Sequence, residues 1–318
     1  TSNALFIMKI LKKIMIVSGT ILLAAGIAGW VFVSQDKFGR SPSGARLARV
    51  LASPNYSNGA FRNQLPTPMM VDSVGFFGAA MKFLFGEKER NRPDTPVPSI
   101  KTDLHTLSPA KNLIVWLGHS SYYMQLDGKR FLVDPVLSGS ASPVSFMIKP
   151  FLGSDIYTPD DIPEIDFLII THDHWDHLDY RTLKSIQERV GHVVCPLGVG
   201  EHLELWGFPP AMVSELDWYE HAEPTAGFRI TSCPSRHFSG RLLKRNQTLW
   251  SAYAIETPSM RVFCGGDGGY GPHFAEIGER FGGFDLAVLE CGQYNQNWRL
   301  IHSLPEELPL EATDLRAA

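Results

Sequence analysis

The sequence predicts a sheet-rich α/β fold with helices packed outside one or two sheets, and three observations carry that reading. From Lys111 onward, short apolar runs of strand length alternate with loops: Leu113–Leu117, Ser121–Leu126 and Arg130–Asp134 follow one another with no helical pattern between them. Later runs are separated by stretches with helical spacing, the alternation expected of layered α/β chains. The run Asp166–Ile170 carries no charge after its first residue and reads as a buried strand. It opens directly into Thr171–Asp179, where three histidines and three aspartates fall within nine residues.

With 318 residues, 44% hydrophobic and 19% charged, the chain has a globular composition and length enough for one large domain or two ordinary ones. A net charge of −4 and the absence of a long Lys/Arg cluster argue against a nucleic-acid partner. Cys195, Cys233, Cys264 and Cys291 include no C-x-x-C pair, and each lies at or near the end of an apolar run. They read as small core residues and leave the redox compartment open.

The first element is an apolar helix. Lys9, Lys12 and Lys13 precede twenty uncharged residues, Ile14–Val33, which as a helix span about 30 Å, the thickness of a bilayer's hydrocarbon core. Lysines before the span predict a cytoplasmic amino terminus and a membrane-anchored, extracytoplasmic body, periplasmic if the source is bacterial. The alternative is a cleaved signal peptide and a secreted body, with Gly26–Ala28 as the cleavage site. Bulky Trp30, Val31 and Phe32 beyond it favour the anchor. The expected organisation is residues 1–34 as anchor or signal, 35–100 as a turn-rich lead-in ending in a proline-rich linker, and 101–318 as the main domain. Within the lead-in, Val71–Phe85 suits a helix whose Phe76, Phe77, Phe83, Leu84 and Phe85 pack on the domain or rest on lipid.

In the main domain helices are expected at Tyr180–Val190, near Val199–Trp206 and near Phe274–Phe281. Further strands are expected around His192–Pro196, Phe228–Cys233, Trp250–Glu256, Arg261–Gly266 and Asp285–Glu290. The chemistry concentrates after the buried strand. His172 and His174, two apart, share a face in extended geometry, and a helix starting near Asp176 would turn Asp176 and His177 toward the same point. Imidazole with carboxylate suits zinc or a similar first-row dication. His105, His192, His202, His221 and His273 match no ligand motif and read as surface or packing residues. Trp116, Trp206, Trp218, Trp250 and Trp298 read as core or loop packing.

The stretch "THDHWDH" resembles the H-x-H-x-D-H signature of the metallo-β-lactamase-fold hydrolases. Asp134 in "FLVDP", His237 in "SRHFSGR" and Asp267 in "FCGGDGGYG" follow in the order of that superfamily's motifs. The blocks "WLGHSSYYMQLDGKRFLVDPV", "HFSGRLLKRNQTLW" and "GQYNQNWRLIHSLPEE" resemble the branch containing the N-acyl-phosphatidylethanolamine phospholipase D. The resemblance covers Lys111 to about Leu308. Gly268 departs from the branch, whose members often carry Thr or Ser there, and is expected to affect the loop more than the metal.

This resemblance implies a four-layer αββα sandwich with two Zn2+ sites at one edge. His172, His174 and His237 would hold one ion, Asp176 and His177 the other, and Asp267 would bridge them. Asp134 would orient a ligand histidine, with His119 supporting it or the turn. Asp176 and His302 are the catalytic candidates, His302 through contact with a phosphate or leaving group; Gln293 and Tyr294 are candidates to line the pocket. The implied activity is hydrolysis by a metal-activated hydroxide, first a phosphodiesterase acting on an N-acyl-phospholipid or related amphiphile. A lactonase or other ester hydrolase is the alternative. Members of the branch carry a further histidine beyond the helix at Pro305–Glu307, where this sequence ends at Ala318. The second site is therefore expected to be incomplete, and an inactive zinc-binding fragment is the third reading.

Overall fold

A computed structural model of the chain describes residues 2–71, 78, 81, 85–86, 92–241, 244–292 and 294–318. It opens with helix α1 (Ser2–Val33), longer than its apolar stretch and with none of Phe6–Val33 buried in the fold. Helix α2 (Gly44–Ala52) and the hairpin β1 (Tyr56–Ser57) and β2 (Ala60–Phe61) follow. Most of Val71–Phe85, including Phe76, Phe77, Phe83 and Leu84, lies outside the described residues; Phe85 is exposed rather than packed.

Two sheets build the body. Strands β3 (Leu113–Gly118), β4 (Ser121–Leu126) and β5 (Lys129–Val133) form an antiparallel meander. It continues in parallel through β6 (Ile165–Ile169), α3 (Tyr180–Ile186), β7 (Val190–Pro196), α4 (Gly200–Leu205) and β8 (Val213–Leu216). The second sheet has the order β13-β12-β11-β10-β9: β9 (His221–Thr225), β10 (Phe228–Cys233), β11 (Ala252–Glu256) and β12 (Arg261–Cys264) are antiparallel. Helix α5 (His273–Phe281) crosses over to the parallel β13 (Leu286–Val288), and α6 (Leu308–Asp314) packs beside α5.

Alternation along the strands sorts side chains into layers. Leu168 of β6 and Ile170 just beyond it join Leu178, Leu183, Ile186, Leu203 and Trp206 under α3 and α4. Phe167 and Ile169 point the other way, to Phe228, Ile230, Tyr253 and Ile255 of the facing sheet. On that sheet's far side Cys233, Ala254 and Phe263 meet Phe274 and Ile277 of α5. The result is the four-layer αββα sandwich. Three cysteines are buried as expected; Cys291 is exposed.

Local chemistry shifts some boundaries. Asp179 caps α3, accepting from Arg181 N at 3.2 Å, so that helix starts at Tyr180 as expected, and residues 175–177 form a turn rather than the helix start considered near Asp176. The helix ends at Ile186, one 3-10 turn before β7 begins at Val190. The lead-in is not separate from the body: Val50 and Phe61 pack with Leu197, Trp218, Leu249 and Trp250. Arg46 of α2 pairs with Glu201 at 2.7 Å, Glu215 at 2.5 Å and Glu204.

Candidate metal centre

Every candidate ligand sits at or just beyond a strand end along one edge of the sandwich. The end of β6 delivers Thr171–Asp179. In place of a helix, the loop turns on itself through bonds from His177 N and Leu178 N to the His174 carbonyl, at 3.2 and 2.8 Å. Loops after β10 and β12 deliver His237 and Asp267, and the loop after β5 begins with Asp134. Two glycines let the Asp267 loop pass close to its neighbours: a Cβ on Gly268 would lie 2.3 Å from Ser235 Oγ, and one on Gly269 2.4 Å from the Leu300 backbone. Gly268 also donates its N–H to Glu290 at 3.0 Å and accepts from Ser303 at 2.7 Å. Its departure from the branch is therefore matched to loop packing.

The nitrogens of His172, His174 and His237 converge. His174 Nδ1 is 2.8 Å from His172 Nε2 and 3.2 Å from His237 Nε2. His237 Nδ1 donates to the Ile301 carbonyl at 2.7 Å, which leaves the lone pair on Nε2. Thr171 Oγ1 donates to Asp134 at 2.6 Å and so accepts from His172 Nδ1 at 3.0 Å, leaving the His172 lone pair likewise on Nε2. One proton on His174 cannot serve both of the nitrogens that face it; a cation can serve all three. Burial, reinforced for His172 by the neighbouring imidazoles, pushes His172 and His237 well below the usual histidine range, and burial lowers His174. All three are therefore neutral donors, the form a metal requires.

A second group lies beside the first. His177 Nδ1 donates to Asp134 Oδ2 at 2.7 Å, and its buried Nε2 makes no hydrogen bond although Asp267 Oδ1 is 3.2 Å away. Asp267 turns its other oxygen to His237 Nε2 at 3.8 Å and to His302 Nδ1 at 3.7 Å. His119 stands at positive φ and reaches Asp176 Oδ2 at 3.1 Å. Among the described residues, four groups are close enough to share an ion: His172 with His174 and His237; His119 with Asp176 and His177; His172 with His177 and Asp267; and His237 with Asp267 and His302. An orphaned buried nitrogen and three facing lone pairs fit bound dications. Despite burial, the His119 hydrogen bond holds Asp176 below the usual carboxylate range.

Other candidates are placed less centrally. Tyr294 is exposed, and Gln293 lies outside the described residues. His302 is held by Glu290, its Nδ1 3.0 and 3.1 Å from the two carboxylate oxygens. Burial opposes its charge, but the Glu290 bond and the Asp267 charge raise its pKa. Glu290 was not foreseen, though an acidic residue at the end of an apolar run is the same signal that marked Asp134. Asp173 was also missed: it turns away from the ligands, accepts from Gly240 N at 2.6 Å and faces His202 at 3.3 Å.

A cluster of histidines and aspartates at the edge of an αββα sandwich is the architecture of a metal-dependent hydrolase. Residues 129–318 match the β-lactamase superfamily domain. An uncharacterized protein of Mycobacterium tuberculosis is 36% identical over 304 residues, covering 93% of this chain and 80% of its own. The N-acyl-phosphatidylethanolamine-hydrolyzing phospholipase D 1 of Caenorhabditis elegans is 31% identical over 240 residues, 66% of each chain. A metallo hydrolase from the archaeon Ignicoccus hospitalis superposes with a TM-score of 0.50 at 20% identity, over 64% of this chain and 78% of its own, a likeness of fold. The chain spans 44% of the length of a diiron β-hydroxylase from Streptomyces venezuelae, with 24% identity and a TM-score of 0.49. The chain belongs to the β-lactamase superfamily, as a metallo-β-lactamase-fold hydrolase of the branch resembling the N-acyl-phosphatidylethanolamine phospholipase D.

Proposed function

We propose that the protein is a zinc-dependent phosphodiesterase of the phospholipase D type, acting on an N-acyl-phospholipid or related amphiphile. The observation that carries this reading is Asp267, which turns one carboxylate oxygen to His177 and the other to His237, between two groups of donors. His172, His174 and His237 would hold one dication; His119, Asp176 and His177 the other; Asp267 would bridge them. Two such ions supply Lewis acidity and an activated water for in-line attack at a phosphorus centre.

The chain's own residues supply the rest. Asp134 and the Ile301 carbonyl fix which nitrogen of His177 and His237 is free. Asp176, whose ionised form the His119 bond favours, would offer a carboxylate oxygen as proton acceptor beside the second donor group. His302, whose protonated form the Glu290 bond favours, suits a phosphate oxygen or a departing alkoxide. Residues 1–34 would anchor the chain, 35–100 would lead into the hydrolase domain at 101–318, and that domain would lie outside the cytoplasm. The apolar surface of α1, exposed all round, supports the anchor. A lipid substrate is consistent with that position, and the named activity of the worm relative supports the choice.

The test is metal analysis of the full chain followed by assay on N-acyl-phosphatidylethanolamine. Zinc in the protein, phosphatidic acid among the products and loss of both activity and metal in His174→Ala are expected. Turnover of lactones or simple esters with none of phosphodiesters would replace the phosphodiesterase reading with the ester-hydrolase one.

A further inference from the structure

Between β5 and β6 the chain makes a loop that is closed on itself and apolar outside. Ala141 N donates to the Ile148 carbonyl at 3.1 Å and Met147 N to the Val144 carbonyl at 3.0 Å. Ser140 Oγ donates to the Met147 carbonyl at 2.6 Å, and Lys149 Nζ to the Gly139 carbonyl at 2.9 Å. Backbone polar groups thus find partners inside the loop, while Phe146, Ile148 and Leu152 are 78%, 61% and 71% exposed, with Met147 and Phe151 exposed beside them. No acidic residue occurs between Ser138 and Ser154, and Lys149 is the one charged side chain there. A compact loop that satisfies its backbone and presents large apolar side chains to solvent is built to meet another apolar phase.

Its position says which phase. Lys37, four residues past α1, donates to the Pro143 carbonyl at 2.8 Å, and the same ammonium lies 4.3 Å from the centre of the Phe32 ring in the last turn of α1. One side chain therefore joins the end of the apolar helix to the shoulder of the loop. The loop root is tied to the metal edge as well: Leu137 N donates to Thr182 Oγ1 at 2.8 Å and Ser138 N to Asp179 Oδ2 at 3.2 Å, both beside the ligand loop.

We propose that residues 144–152 form a second membrane contact, dipping Phe146, Met147, Ile148, Phe151 and Leu152 into the lipid interface beside the exit of α1. Lys149 stays at headgroup level, as amphipathic cations do at such a boundary. The two contacts together hold the metal edge against the bilayer surface, where an amphiphile enters without leaving lipid entirely. This inference rests on the reading of α1 as an anchor.

The experiment uses the full chain carrying Cys291→Ser, since Cys291 is the exposed cysteine and Cys195, Cys233 and Cys264 are buried. Phe146→Cys, Ile148→Cys, Trp30→Cys and Glu279→Cys each receive an environment-sensitive fluorophore. Glu279 lies on the exposed side of α5, on the other sheet, and serves as the water reference. The proteins are reconstituted into phosphatidylcholine/phosphatidylglycerol vesicles with spin-labelled quencher lipids. Blue-shifted, lipid-quenched emission at 146, 148 and 30, with none at 279, is expected. If position 30 is quenched while 146 and 148 behave as 279 does, the loop contact is overturned and the anchor stands. If position 30 is not quenched, the anchor reading falls and this inference with it. Blue-shifted but unquenched probes at 146 and 148 that crosslink chain to chain would assign the loop to a second copy and overturn the lipid contact.

Discussion

His177 Nδ1 lies 2.7 Å from Asp134 Oδ2, with both side chains buried, and the same carboxylate accepts from Thr171 N at 2.8 Å and Thr171 Oγ1 at 2.6 Å. Three donors thus meet one acceptor-only group, and the proton on His177 is fixed to Nδ1. An Asp134→Asn amide would turn an NH2 toward one of those donors. Metal affinity is expected to fall by roughly 10- to 100-fold, read by chelator competition. Unchanged affinity would show that Asp134 does not set the histidine's orientation.

Stability and metal occupancy should move together. Lone pairs of two buried imidazoles and a half-buried one converge on one point, so stripping metal should lower the melting temperature and restoring zinc should raise it. At a hundredfold excess of zinc over its dissociation constant the gain is about 2.7 kcal/mol. His174→Ala should lose most of that response in a thermal melt. An equal response in wild type and variant would place the bound ion elsewhere.

Arg46 stands among three carboxylates with its own side chain only 13% exposed. Arg46→Ala would leave Glu215 partly buried without an ion pair and Glu201 with Arg40 alone, at a cost of about 3–5 kcal/mol. Arg46→Ala combined with Glu215→Gln should recover part of the loss, because one orphaned charge is gone. Denaturant titration of both variants checks the order, which fails if the double variant is the weaker.

Glu311 is 1% exposed, and burial raises its pKa to about 7 from an ordinary 4.5, against the bond it accepts from Ser303. Between those two pH values the folded chain keeps a proton that the unfolded chain has released. Stability should therefore fall as pH rises from about 4.5 to about 7 and then level off, by up to about 3 kcal/mol. Glu311→Gln should flatten that slope. Melting curves across the window decide the matter, and a slope unchanged in the variant would assign it to other groups.

Much of the sandwich was legible because its central strands are uniformly apolar and end in chemistry. Asp134, His172, His237 and Asp267 each occupy such an end. The edge strands β8 and β9 left no mark, since Val213–Leu216 and His221–Thr225 are polar and half exposed, as strands at a sheet's margin are. The start of α3 at Tyr180 was legible, but its end at Ile186 was not, because a 3-10 turn through Gln187–Arg189 continues the apolar spacing to Val190. His119 was legible as part of a block, but its reach to Asp176 depends on a turn at positive φ that no spacing announces. Glu290 and His302 lie twelve residues apart with an irregular loop between, so only tertiary folding discloses the pair.

Arg241 Nη2 donates to the Lys37 carbonyl at 2.8 Å, while Nη1 donates to the carbonyls of Asp173 and Leu178 at 2.9 and 2.7 Å. Its guanidinium also lies 4.0 Å from the centre of the Trp175 ring, and Trp175 meets Phe38 edge-on. One cation thus clasps both the segment that follows α1 and the loop that carries four ligand candidates. Wherever α1 rests, the ligand loop rests at a set height beside it. Tension, tilt or cleavage at the amino-terminal helix would reach the metal edge through that guanidinium and the Trp175–Phe38 contact, more as a lever than as a leash.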